Sequence, residues 1–180
     1  LESPRAGVSP KHAGPPHFRG RSPGIMPSMS DAAHGIRMID VGGKPVTLRT
    51  ARASARLRAA SETLRRIRAG TLEKGDALAT ARLAAILAAK RTSDVVPLCH
   101  PLPLDAVEAT IGFADDAIVI ETVVRATART GVEMEALVAA SAAALAIYDM
   151  CKSIDPGMSI ERIQLEEKTG GIRGDYVRGG

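Results

Sequence analysis

The stretch from Thr130-Gly-Val-Glu-Met-Glu-Ala-Leu to Ile147-Tyr-Asp-Met-Cys-Lys152 constrains the fold most, because it reads as one long helix. Thr130 followed by Glu133 fits a capping box, in which hydroxyl and carboxylate satisfy the backbone donors that a helix start leaves free. Leu137, Ser141, Ala144, Leu145 and Tyr148 then recur at helical spacing, the stripe of a helix lying on a core. Asp149 breaks a local rule: an anion in the last turn faces the negative end of the helix dipole, at roughly 0.3–1 kcal/mol. Sequences break such rules where a site requires it.

Residues 1–35 stand apart from this pattern. Pro4, Pro10, Pro15, Pro16, Pro23 and Pro27 lie among Gly, Ser, Arg and His without apolar periodicity, so a disordered tail or tag is expected. The tail lacks the apolar run of a signal peptide, and its prolines and glycines argue against an amphipathic transit helix. Residues 36–180 are expected to form a single catalytic domain. Beyond the tail only Phe113, Tyr148 and Tyr176 are aromatic, so the core must be built from Ala, Val, Ile and Leu, thin and closely packed. Small residues along the long helix allow close approach to another element, which favours an oligomer.

The net charge is +4, of which the tail supplies +2 through Arg5, Lys11, Arg19 and Arg21 against Glu2 and Asp31. The remainder is only mildly basic, which suits a small anionic ligand better than a nucleic-acid track. Cys99 and Cys151 form no metal-binding spacing and are expected to be reduced thiols of a cytoplasmic protein. No uninterrupted apolar run reaches the length of a membrane span.

Along the chain, Ile36–Val41 reads as a short strand ending at Gly42-Gly43. Ala51–Arg58 alternates apolar odd and mostly cationic even positions, the pattern of a strand with one buried face. Ser61 is the expected N-cap of a helix over Glu62–Arg68 stopped by Gly70, and Asp76 of a second over Ala77–Lys90 with Leu83, Ile86 and Leu87 inward. Pro97, Pro101 and Pro103 exclude regular structure throughout Thr92–Leu104. A hairpin over Ala106–Phe113 and Ala117–Ala126 turns at Asp115-Asp116, and Met158–Lys168 forms a final strand after the turn Asp155-Pro156-Gly157. The order strand, helices, strand, strand, helix, strand is the α+β, ferredoxin-like split βαβ arrangement, an antiparallel sheet with helices on one face.

Chemistry-bearing residues cluster in a few places. The stiff, proline-rich loop Lys90–Pro101 carries His100, an acid/base or hydrogen-bond donor near neutral pH, beside Cys99. A histidine that merely satisfies loop backbone is an equal reading, and a zinc site lacks a second ligand cluster. Asp149 and Lys152 share a helix face as either a surface ion pair or a catalytic pair. Lys74 precedes a helix start, where a cation and free N–H groups favour phosphate, although most such lysines are simply solvated. Lys168-Thr-Gly-Gly171 resembles a phosphate-gripping turn without P-loop spacing, and Arg49 reads equally as a solvated strand arginine. Glu135 and Asp149 lie fourteen positions apart, about 21 Å along a straight helix. If both ends serve one site, they come from different subunits, with two such helices antiparallel across a twofold axis.

Lys74-Gly-Asp, Lys90-Arg-Thr-Ser-Asp-Val-Val-Pro-Leu-Cys-His-Pro-Leu, Thr130-Gly-Val-Glu-Met-Glu-Ala-Leu and Ile147-Tyr-Asp-Met-Cys-Lys together resemble the cyclic pyranopterin monophosphate synthases, the MoaC-type proteins of molybdenum cofactor biosynthesis. The likeness runs from about Met38 to Gly174, with motif order and spacing matching. It implies a ferredoxin-like subunit assembled as a hexamer, a trimer of dimers, with the active site at a subunit interface. It also implies a reaction: a small-molecule cyclised dihydro-GTP is rearranged to cyclic pyranopterin monophosphate, releasing pyrophosphate. By the same resemblance Asp149, Lys74 and Lys152 are catalytic. Leu98, Cys99 and His100, Met134 and Glu135 with Glu133 beside them, and Arg49 and Lys168 bind substrate. The family often carries lysine at the position of Arg129. One of the lysines, desolvated and crowded by cations, is expected to have a lowered pKa. No cofactor or metal is called for, though magnesium can accompany the triphosphate, and neither nucleic acid nor membrane is a partner.

Two rivals stand beside this expectation. A non-catalytic nucleotide sensor or RNA-binding module would place aromatic residues on the sheet for base stacking, and Phe113 is the only aromatic on an expected strand. A metal-dependent phosphohydrolase would lose activity in chelator.

Overall fold

The alternating run becomes the central strand, β1 (Thr47–Arg58), in a computed structural model that describes residues 35–179. Ala51, Ala53, Ala55 and Leu57 are fully or almost fully buried, while Arg52, Ser54 and Arg56 face away from the core. On that outer face Arg52 Nη1 reaches Glu121 Oε2 at 3.0 Å, Arg56 Nε reaches Glu161 Oε2 at 3.1 Å, and Ser54 hydrogen-bonds Glu166. A one-residue slip of register would exchange these two sets, which is why the alternation fixes the strand so firmly.

After β1 come α1 (Ser61–Ala69), α2 (Ala77–Ala89), a single turn α3 (Thr92–Val95), the hairpin β2 (Ala106–Phe113) and β3 (Ala117–Ala128), the long α4 (Glu133–Cys151), β4 (Ser159–Thr169) and a two-residue β5 (Tyr176–Val177). The strands order β2-β3-β1-β4-β5, every neighbouring pair antiparallel. β1 and β2 thus flank β3, and β3 and β4 flank β1, giving the two interlocked split βαβ units that the element order predicts. The helices cover one face, α2 lying against α4 and α4 against β1 and β3. The Thr122 hydroxyl, fully buried, donates to the Ala136 carbonyl at 2.8 Å and ties α4 to the sheet.

Several local expectations are corrected. Residues 37–41 are not a strand, since both edges of β1 are already paired; they form a loop closed by a Lys44 N–H bond to the Val41 carbonyl. Ser61 is the first residue of α1 rather than its cap; Ala60 holds the cap position, and the Asp155 carboxylate accepts from Ala60 N–H and the Thr63 hydroxyl instead. Gly70 does stop α1, at φ +65°. Asp76 caps α2, accepting from Leu78 and Ala79 N–H at 2.9 Å. The inward side of α2 is Ala77, Ala81, Ala85 and Ala89, whereas Leu83 and Leu87 point outward.

The stripe of α4 is shifted likewise. Ala136, Ala139, Ala140, Ala143, Ala144 and Ile147 are completely buried, while Leu145 is exposed and Leu137, Ser141 and Tyr148 are only half-buried. Helix and sheet approach closely because the residues between them are small. Although α4, with mean hydropathy 1.5, is long and apolar enough to cross a membrane, Glu133, Glu135 and Asp149 interrupt its apolar run and its alanine face lies on the sheet as in a core helix. The expected tail lies, except for Gly35, outside the described residues.

Candidate active site

Each end of α4 carries its own cluster of site residues. At the C-terminal end Asp149 sits between two ammonium groups: Lys152 Nζ lies 2.7 Å from Oδ1 and Lys74 Nζ 2.8 Å from Oδ2. Lys74 also donates to the Asp149 carbonyl oxygen at 2.9 Å. One cation therefore satisfies a helix-end carbonyl and the carboxylate together, offsetting the unfavourable placement of an anion at this end of the dipole. Lys74 reaches across because it sits on a turn that leaves through Gly75 at φ +97°. The helix start beside it is not open to phosphate, since the Asp76 side chain already accepts two of its N–H groups.

This cluster lies on open surface within one chain, with the Lys74, Asp149 and Lys152 side chains 45%, 55% and 57% exposed. The Lys152 ammonium first and Lys74 second hold the Asp149 carboxyl down at about 2. Asp149 in turn raises the pKa of Lys152, the reverse of the lowered lysine expected from sequence. The carboxylate is an anion throughout the physiological range, and the ion pair is retained until the pH falls from the usual carboxylate range towards 2.

The N-terminal end of α4 opens onto two adjoining cavities. The first is lined by five cations, Lys44, Arg49, Arg129, Lys168 and Arg173, against the single carboxylate of Glu133. Arg49 is buried, its guanidinium donating to the carbonyls of Ala128 and Arg129, so it is not a solvated strand residue. The Gly170-Gly171 turn packs directly on it. A Cβ at Gly171 would stand 1.5 Å from Arg49 Nη1, and one at Gly170, φ +88°, would stand 2.2 Å from the Leu48 carbonyl oxygen. The second clash is with backbone and cannot be relieved by a rotamer. Gly170→Ala is therefore expected to cost about 2 kcal/mol or more, read as a lowered melting temperature in thermal denaturation.

Lys168 Nζ is 3.1 Å from Glu133 Oε1. The capping box is thus not formed: α4 starts after Val132 without a side-chain cap, and the Glu133 carboxylate serves Lys168. Gly131 makes room for it, since a Cβ there would meet Glu133 Oε2 at 1.9 Å.

The second cavity is lined by Leu98, Cys99, His100 and Leu102 from the proline-rich loop, by Met134 and Glu135 from α4, and by Ile39 and Val41. Its walls are mostly apolar, with Arg37, Lys44, Glu133 and Arg173 also lining it and Glu135 buried at 4% exposure. Burial raises the pKa of the Glu135 carboxyl, reinforced by Glu133. Burial likewise raises that of the Cys99 thiol, followed by the charges of Glu135 and Glu133, so Cys99 lines the wall as a neutral thiol. A carboxyl whose folded pKa is raised costs stability as the pH climbs from its ordinary value of 4.5 through the raised one. Glu135→Gln is expected to raise the melting temperature at pH above this range and leave it unchanged below about 4.

The structure brings Arg49, Lys168, Glu133, Met134, Glu135, Leu98, Cys99 and His100 to one end of α4 and Lys74, Asp149 and Lys152 to the other. Sequence reasoning missed Lys44 and Arg173, which line both cavities. The signals were a lysine just after Gly42-Gly43 and an arginine inside the Gly170–Gly174 turn.

The profile described as the MoaC family matches residues 38–171. The cyclic pyranopterin monophosphate synthase of Streptomyces coelicolor is 50% identical over 163 residues, covering 91% of this chain and 96% of the relative. The protein of the same name from a Roseiflexus species is 53% identical over 83% of this chain and 99% of its own length. Cyclic pyranopterin monophosphate synthase 1 of Mycobacterium tuberculosis is 53% identical over 82% of this chain and 88% of its own.

Proposed function

The chain belongs to the MoaC family, and from that premise we propose that it is a lyase of molybdenum cofactor biosynthesis, a cyclic pyranopterin monophosphate synthase. Its small-molecule substrate is a cyclised dihydro-GTP, which it rearranges to the cyclic pyranopterin monophosphate while releasing pyrophosphate. The observation that carries the assignment is the pairing of chemistries at the two ends of α4: a carboxylate held between two lysines, and a cationic cavity opening into an apolar one.

Asp149, Lys74 and Lys152 move the protons of ring opening and ring closure. Arg49, Lys168 and His100 hold the triphosphate and stabilise the charge that grows as pyrophosphate departs. Leu98, Cys99 and Met134 enclose the ring system, and Glu135, with Glu133 beside it, offers carboxylate oxygens to its N–H groups. No resident cofactor is needed; magnesium accompanies the triphosphate as its counter-ion.

The two clusters belong to one active site only when neighbouring subunits supply one end each, because a nucleotide does not span about 21 Å of helix. A homo-oligomer with a dimer as its smallest unit follows, and the hexamer built from such dimers is what the family resemblance implies. The outward Leu83, Leu87 and Leu145 supply apolar surface for such packing. A cytoplasmic location accords with the two free cysteines. The decisive experiment incubates the protein with the cyclised dihydro-GTP. Stoichiometric pyrophosphate and cyclic pyranopterin monophosphate are expected, and the absence of both refutes the assignment.

A further inference from the structure

The arm that runs from Ala60 through α1 to Gly75 starts at the C-terminal end of α4 and comes back to it. At its start the Asp155 carboxylate accepts from Ala60 N–H at 2.8 Å and from the Thr63 hydroxyl at 3.0 Å. At its finish Lys74 Nζ meets the Asp149 carboxylate at 2.8 Å and the Asp149 carbonyl at 2.9 Å. The stretch between these two carboxylates is itself fastened. Ile154 and Asp155 N–H both donate to the Cys151 carbonyl, at 2.9 and 3.0 Å, and the Tyr148 hydroxyl donates to the Pro156 carbonyl at 3.2 Å. The Cys151 thiol senses both ends of the arm: burial raises its pKa, the charge of Asp155 raises it further, and that of Lys74 lowers it.

Leu64, Ile67 and Leu72 bury the middle of the arm. Apolar burial is non-directional, so it holds the arm on the core without fixing its position relative to the end of α4. Directional bonds fix that position, and Asp155 supplies them where the arm begins. Thr63 is 1% exposed, so its hydroxyl loses its partner outright when the carboxylate is removed. We propose that Asp155 is a positioning residue for the reaction, bracing the start of the arm so that Lys74, at its end, is delivered to Asp149. The inference rests on the synthase assignment and adds a residue from outside its catalytic set. Asp155 bonds to α1 and to neither lysine, so it acts only through the placement of the Lys74 ammonium. A misplacement of about 1 Å in a reacting group costs up to about a hundredfold in rate. One oxygen of Asp155, Oδ2, receives both hydrogen bonds, so the brace depends on acceptor geometry, which an asparagine oxygen reproduces.

The test uses the full chain and compares the wild type with Asp155→Ala, Asp155→Asn and Thr63→Val, by hydrogen exchange with mass spectrometry and by turnover of the cyclised dihydro-GTP. In Asp155→Ala, amide exchange is expected to quicken about tenfold or more in residues 72–75 as well as at the start of α1. The kcat is expected to fall about tenfold to a hundredfold. KM should change less than about twofold, because Arg49, Lys168 and His100 lie at the other end of α4. Thr63→Val, which removes one of the two bonds, is expected to shift both readouts less and in the same direction, and it carries the comparison if Asp155→Ala does not fold. Asp155→Asn is expected to recover most of both. Ile120→Val, in the core of β3, is the control for lost stability alone, lowering the melting temperature without changing kcat. Unchanged exchange in residues 72–75, unchanged kcat, or an asparagine variant no better than the alanine one overturns the brace. A wild type that releases no pyrophosphate from the cyclised substrate, while the variants show the expected exchange, upholds the brace and refutes the synthase assignment instead.

Discussion

Asp149→Ala is expected to lower turnover of the cyclised dihydro-GTP by about a hundredfold to ten-thousandfold, the usual worth of a positioned proton-transfer group. The fold should survive, because the side chain is 55% exposed and its partners are two surface lysines. An unchanged melting temperature beside lost pyrophosphate release would separate a catalytic role from a structural one. Asp149→Asn sharpens the test. It keeps the shape and one hydrogen-bond acceptor but removes the charge that raises the Lys152 pKa, so the high-pH limb of the rate profile should move down. Full activity in either variant would remove Asp149 from the mechanism and, with it, the reason for its position against the helix dipole.

Mixing two inactive variants should restore activity. One partner carries Asp149→Ala; the other carries His100→Ala, at the opposite end of α4. If a site takes one end from each of two subunits across a twofold axis, a mixed dimer has one site with both lesions and one with none. Random re-association at equal amounts then returns about a quarter of the wild-type activity, against almost none from either variant alone. Recovery that stays at the level of the separate variants would show that each chain completes its own site. Re-association needs dissociation, so the variants are best co-expressed with different affinity tags and the mixed species purified.

Period-two and order signals were legible in the sequence, and helix faces were not. β1 was readable because Ala51, Ala53, Ala55 and Leu57 alternate with Arg52, Ser54 and Arg56, and such a pattern has one physical solution on a half-buried sheet. The hairpin and the strand order followed from lengths and turn residues. In α2 and α4 the usual rule, large apolar residues inward, fails. The helices lie so close to each other and to the sheet that alanine fills the inner positions, and leucine is displaced to the outside. The same composition that promised a thin core thus hid which side faced it. Caps were misread for a related reason: Thr130 and Ser61 have the right chemistry, but the carboxylates of Glu133 and Asp155 have partners remote in sequence, Lys168 for the one and Thr63 for the other. Of the site, the residues within motifs were legible; Lys44 and Arg173 were not, because only the folding of two distant segments onto one cavity gives them a common target.

The long helix also acts as a ruler. A single residue inserted between Glu135 and Asp149 would swing one half of the machinery about 100° around the axis and push it about 1.5 Å further away. The Asp115-Asp116 hairpin bend, by contrast, can lengthen without disturbing either half. Tolerance to added or removed residues should therefore be lowest along α4, a stretch that itself contributes chemistry only near its tips.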